Sequence, residues 1–327
     1  MKDTFHTVNP IIRIKENELL TEETFEAMIQ ANSFEEIQTL LKNTIYEKYL
    51  TDNFQFRFES ILEKTMTETY QELLDIVSNP DIIWLYTMKY TFHNLKVLTK
   101  AEKLGQNYDY LFIPDGFYSL VDVKSAVQTG VSGVLPATVL KAIQDVEDYF
   151  TESSIIQGID VIYDRRYLKE QRRLAETIKD PVLLEAVLLS IDFSNIVTMA
   201  RCLLQNRTVG FMSTVLSEAG AIKKEELLSY AESSMATFIA FLKKSYLGEA
   251  IAPALKEDTI DFLQMDLIQE NEQTKCFQIA QTQAFGPLPL VAFMNAKEVE
   301  LTNLRVLIVG KRSGFTKQQI FERMRNV

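Results

Sequence analysis

Three stretches of this chain share one frame: YTFHNLKVLTKA (90–101), IDFSNIVTMARC (191–202) and EVELTNLRVLIVGK (298–311). In each, an asparagine followed by Leu or Ile sits in an otherwise apolar run. The three asparagines, Asn94, Asn195 and Asn303, lie 101 and 108 residues apart. Two copies carry an acid three residues earlier, Asp192 and Glu300, and each copy follows an apolar lead-in: DIIWLYTMKY, LLEAVLLS or LPLVAFMNA. A second unit precedes each one: LLTEETFEAMIQ (19–30), VLPATVLKAIQ (134–144) and AIKKEELLSYAE (221–232). FTKQQIFERM (315–324) reads as that unit begun a fourth time. Self-similarity at a fixed period marks a repeat architecture. The chain therefore reads as three diverged helical modules, 1–115, 116–215 and 216–327, each of roughly 100 residues, an ordinary domain size.

The modules are helical by pattern. SFEEIQTLLKNTIY opens on a Ser33–Glu36 capping box, and TKQQIFERM repeats the device with Thr316 and Gln319. Apolar residues then recur at helical spacing, as they do through GVLPATVLKAIQDVEDYF and KKEELLSYAESSMATFIAFLKKSY. Two-residue alternation is scarce; YDYLFIPDG (108–116) is the best strand candidate, short and unpartnered. With only 11 Gly and 8 Pro, a turn-rich β-sandwich is disfavoured. The fold class is all-α.

The repeat frame also decides how GKRSG (310–314) is read. A Walker loop needs G-x-x-x-x-G-K-[ST], whereas Lys311 follows a single Gly and precedes Arg312. The segment is instead the third buried helix, with Gly310 or Gly314 ending it and Lys311 and Arg312 complementing its dipole.

The remaining chemistry is sparse. A net charge of −11 disfavours nucleic acid as a partner. Two cysteines make no disulfide framework, and Cys202 reads as a small core residue. No window reaches the roughly 18 uncharged apolar residues of a spanning helix, EAVLLSIDFSNIVTMARCLL being broken by Asp192 and Arg201. The expectation is a cytoplasmic protein that does not cross the membrane. PDGFYSLVDVK (114–124) matches the P-D…D-x-K spacing of metal-dependent nucleases, with Asp115 and Asp122 as Mg²⁺ ligands and Lys124 at the phosphate. That motif needs a strand hairpin, whereas this stretch reads as a helix after a P-D-G turn.

Two features remain as site candidates. Asn94, Asn195 and Asn303 are buried amides that must find hydrogen-bond partners, either as a polar ring or as ties from each helix to a neighbouring backbone. The basic run YDRRYLKEQRRLAETIK (163–179) puts Arg165, Lys169 and Arg172 on one helical stripe with Arg166 and Arg173 beside it. It is either a solvated face or a docking patch for acidic groups.

ELLTEETFEAMIQANSFEEIQTLL, GIDVIYDRRYL and NLRVLIVGKRSGFTKQQIFERM, spanning nearly the whole chain, together resemble the C subunit of the prokaryotic V-type (A/V-type) ATPase, the counterpart of the eukaryotic d subunit. Thr302, where a basic residue is expected, and Val309, where Arg is common, depart from that pattern. The resemblance implies a funnel-shaped, all-helical protein with pseudo-threefold symmetry and no cofactor, metal or catalytic residue. It implies a rotor component on the cytoplasmic face of the membrane, joining central-stalk subunits (D and F type) to the membrane rotor ring (c/K type). Torque would pass through it to H⁺ or Na⁺ transport. A helical-repeat scaffold with unrelated partners is the alternative.

Overall fold

The computed structural model describes residues 5–50, 53–114 and 116–326. Among them the protein is all-helical; the only extended pairing is an isolated bridge between Leu255 and Ile260. In chain order the helices are α1 (Phe5–Glu16), α2 (Glu22–Gln30), α3 (Phe34–Leu41), α4 (Phe54–Ile76) and α5 (Asp81–Leu104). Next come α6 (Leu120–Thr129), α7 (Ala137–Glu152), α8 (Gln157–Ile178), α9 (Pro181–Leu204) and α10 (Val209–Val215). Then follow α11 (Lys224–Leu228), α12 (Met235–Leu242), α13 (Gly248–Ile251), α14 (Phe262–Phe277), α15 (Leu288–Arg312) and α16 (Lys317–Phe321).

Local chemistry sets most boundaries. The Thr316–Gln319 capping box forms in full. At α3 the Ser33 hydroxyl accepts the Glu36 N–H, but the Glu36 carboxylate takes the N–H of Asn32 rather than that of Ser33. The amphipathic stretch 223–246 is not one helix: the Ser234 hydroxyl captures the Thr237 N–H and starts α12 afresh. The strand candidate 108–116 is a correction as well. It holds a 3-10 turn, Asp109–Leu111, followed by the extended Phe112, with no neighbouring strand among the described residues.

The chain divides into two compact units, Met1–Ile83 with Thr274–Val327, and Trp84–Gln273. In the first, α15 is the central helix, packing against α1, α2, α4 and α16. Its Leu301, Leu304, Leu307 and Ile308 join Phe25, Met28, Ile37, Leu41, Phe54, Phe58 and Leu62 in one core. The two ends of the chain therefore fold together. In the second unit, α8 packs on α7 and α9, and α10 lies against both α8 and α9.

The α9 helix corrects one expectation. By length and hydropathy it could cross a membrane. Its apolar side chains serve the interior of the second unit instead: Leu183, Ala186, Val187, Ile191, Phe193, Ile196 and Met199 are all buried. Its buried polar residues, Asp192 and Asn195, are bonded to protein.

Candidate functional site

The three asparagines do one job three times. Asn94 donates to the carbonyl of Ile113 (2.7 Å) and accepts the Ile113 N–H (2.8 Å). Asn195 makes the same reciprocal pair with Ser217 (3.0 and 2.8 Å), and Asn303 with Arg325 (3.0 and 2.8 Å). Each carboxamide thus gives a residue outside any helix both of its backbone hydrogen bonds.

The likeness extends along each helix. Seven residues after the Asn stands a small side chain or none: Ala101, Cys202 and Gly310. Its carbonyl accepts the N–H of Gln106, Arg207 or Phe315, five residues on (2.9, 3.0 and 2.9 Å). The residue just before that donor is left-handed: Gly105 (φ 62°), Asn206 (φ 51°) and Gly314 (φ 73°). This is one helix-ending motif used three times, with residues that tolerate positive φ. Gly310 is therefore inside α15 and Gly314 ends it. At Gly310 a Cβ would come within 2.7 Å of the Ile320 side chain, so the missing methyl lets α16 close on α15.

The stretch 315–324 also changes meaning. Thr208 caps α10 as Thr316 caps α16, and Met212 and Ile320, each four residues on, are buried. Both short helices lie between an Asn helix and the residue that its Asn clasps. Thus α16 is the counterpart of α10 and not a restart of α2.

The acids three residues before Asn anchor the entries of other helices. Asp192 accepts the N–H groups of Ala221 and Ile222 and the Tyr246 hydroxyl (2.7 Å). Glu300 accepts the Leu20 N–H and the Tyr46 hydroxyl and pairs with Lys297, all of them buried. Burial, then the Glu300 charge, pushes the Tyr46 phenol well above its ordinary value. In the first copy Thr91 occupies this place, buried. At Gly220 a Cβ would stand 2.1 Å from the Asp192 carboxylate, so the backbone passes where only hydrogen fits.

Burial also pushes the Asp192 carboxyl above the ordinary 3.8, against the lowering pull of Tyr246 and of the two amides. An acid raised on folding holds its proton more tightly in the native state. Its contribution to stability is full below 3.8 and is lost as pH rises through the folded value. Asp192→Asn carries no charge at any pH. Its urea midpoint relative to the wild type should therefore climb from below pH 3.8 toward neutrality; a constant offset would show that another group titrates.

Lys311 has a structural partner. Its ammonium donates to the carbonyls of Ile29 (2.8 Å) and Ala31 (2.6 Å), and Lys317 to that of Gln30 (2.9 Å). The two lysines close the C-terminal end of α2, where carbonyls lack helical partners. Burial, and then the Lys317 charge, lowers the Lys311 pKa. Lys311 stands with Arg312 in the last turn of α15, as expected, and its ammonium also closes the end of α2.

The nuclease spacing does not assemble. Asp115 lies outside the described residues. Asp122 sits in the first turn of α6, its N–H donated to the N-cap Ser119, and Lys124 pairs with Asp109 (2.8 Å). A helix occupies the place where the motif needs a hairpin. His93 is only half buried and bonds the Leu111 carbonyl (3.1 Å).

The five basic residues of α8 converge. Arg165, Arg166, Lys169, Arg172 and Arg173 all line one groove of about 630 Å³ in the second unit. Three have local partners: Arg166 pairs with Asp145, Arg173 with Glu170 (2.6 Å), and Arg172 with Glu176 (2.8 Å). Arg172 also donates to the carbonyls of Ala219 (2.9 Å) and Gly220 (3.2 Å). The opposite wall is Ser217–Ala219, the segment that Asn195 clasps. Pattern reading finds the bases and the asparagines but misses Asp145, Glu218, Tyr46 and Tyr246, because nothing local to those residues marks them.

Residues 8–323 match the family model described as ATP synthase (C/AC39) subunit. The C subunit of the V-type sodium ATPase of Enterococcus hirae is 49% identical over 323 residues, covering 99% of this chain and 98% of that protein. The corresponding C subunits of the A-type ATP synthases of Methanothermobacter thermautotrophicus and Methanocaldococcus jannaschii are 24% and 23% identical, each covering 96% of this chain. With the match running almost end to end, the chain belongs to the C/AC39 subunit family of ATP synthases.

Proposed function

We propose that this protein is the non-catalytic central-rotor subunit of a V-type ATPase. It joins the central stalk, of D- and F-type subunits, to the membrane rotor ring of c/K-type subunits. ATP hydrolysis or synthesis thereby drives, or is driven by, H⁺ or Na⁺ transport. The observation that carries the reading is the end-to-end identity to the C subunit of a V-type sodium ATPase, which also favours Na⁺ as the ion. The proposed site of action is the cytoplasmic face of the membrane complex.

We further propose that the chain is built as three modules, 1–115, 116–215 and 216–327, set in a pseudo-threefold, funnel-like arrangement. The shared ending of α5, α9 and α15, each with its clasped residue, supports that division. A coupling element transmits torque and so must resist deformation. Reciprocal amide clasps serve this, since a satisfied buried polar contact fixes one backbone arrangement.

A tagged copy expressed in its own host and recovered from detergent-solubilised membranes tests the reading. Stalk and ring subunits should co-purify, with ATPase activity that responds to Na⁺. A folded, helical protein that brings down none of them overturns it.

A further inference from the structure

The α8 groove contains two cations with nothing to neutralise them. Among the described residues Arg165 and Lys169 are exposed and have no ion-pair or hydrogen-bond partner, while the other three bases are held by carboxylates. The two stand one helical turn apart on the same face, a Cβ separation of about 5–6 Å. The facing wall, Ser217–Ala219, is kept in place by the Asn195 clasp and by Arg172. The groove is therefore a preformed receptor whose surplus charge is concentrated at one pair.

We propose that Arg165 and Lys169 receive a helical segment of a neighbouring ATPase subunit that presents two carboxylates one turn apart. The assignment rests on the rotor role proposed above. Charge complementarity selects the occupant. The chain as a whole carries −11, which repels nucleic acid and anionic bilayers over distances of a Debye length, about 8–10 Å. The same lining also holds Asp145, Glu176 and Glu218, which oppose a densely charged phosphate but suit a segment of mixed charge. A concave wall excludes a flat bilayer and admits a helix edge. Arg165 meets a carboxylate through two parallel N–H bonds, and Lys169 acts as a point charge beside it.

The test uses the tagged full-length chain recovered with its complex, as wild type, as Arg165→Glu/Lys169→Glu, and as Lys243→Glu/Lys244→Glu, an equal charge change at exposed lysines elsewhere. Both groove residues lack partners to lose, so circular dichroism and melting should match the wild type. The groove variant should lose about tenfold or more of the recovered neighbour, and the control little. A photo-crosslinking p-benzoylphenylalanine in place of Ile162, which lines the groove, should trap a peptide with acids spaced three or four apart. Unchanged recovery, equal loss in the control, or a trapped peptide without such acids overturns the proposal. So does Arg165- and Lys169-dependent binding of the free chain to phosphatidylglycerol vesicles, which would make the occupant a lipid. Recovery of no ATPase component by the wild type overturns the rotor role, and this assignment with it.

Discussion

Glu300→Ala should destabilise the unit built from the two chain ends by about 3–5 kcal/mol, the usual cost of removing one partner from a buried ion pair. The loss has three parts. Lys297, 4% exposed, loses its counterion. The Tyr46 hydroxyl loses its acceptor, and the Leu20 N–H at the entry of α2 is left unpaired. Since Leu20 and Glu300 stand at opposite ends of the chain, the effect should appear as faster amide exchange in α2 and α3 as well as α15. Replacing both charges, Lys297→Met with Glu300→Leu, should recover only the share due to the unpaired Lys297 charge, because apolar pairs often substitute for buried ion pairs while the Tyr46 hydroxyl and the Leu20 N–H still lack their acceptor. Urea denaturation measures both. A cost below about 1 kcal/mol for the single variant would mean that the carboxylate is not what holds the termini together.

Asn195→Ala is expected to cost about 2–4 kcal/mol, since it strands two buried backbone groups of Ser217 at about 1–3 kcal/mol apiece. Asn94→Ala and Asn303→Ala make the same chemical change where the clasped residue is only partly buried. Water then replaces part of the lost bonding, so their cost should be smaller. The ordering, more than any one value, tests the explanation: equal losses at all three sites would show that the amide acts through packing and not through the clasp. Asn195→Ala also frees the Ser217–Ala219 wall of the basic groove, so crosslinking from position 162 should become diffuse in any fraction that remains folded.

How far these features can be read from the sequence differs from residue to residue. Asn94, Asn195 and Asn303 stand out because a polar residue recurring in apolar helices has few reasons to be there, and Asp192 and Glu300 stand out beside them. Their partners do not. Ile113, Ser217 and Arg325 contribute only backbone, which every residue has, so no side chain announces them. Tyr46 and Tyr246 lie far along the chain from the acids that they bond, and a helical period carries no information at that range. Lys311 can be placed at a helix end, but which helix it caps depends on where α2 arrives.

The sequence alone carries the helical class, the recurrence of the Asn helices and the family. These rest on spacing, capping and turn residues, which act over a few positions and are written in consecutive letters. Tertiary structure alone decided that α15 buries its flanks against both chain ends and that α9 spends its apolar length inside a core. It likewise decided that, of five clustered bases, only Arg165 and Lys169 remain unpaired. The physical reason is common to all three. Burial and ion pairing depend on which distant groups come within a few ångströms, and that is settled only when the chain has packed.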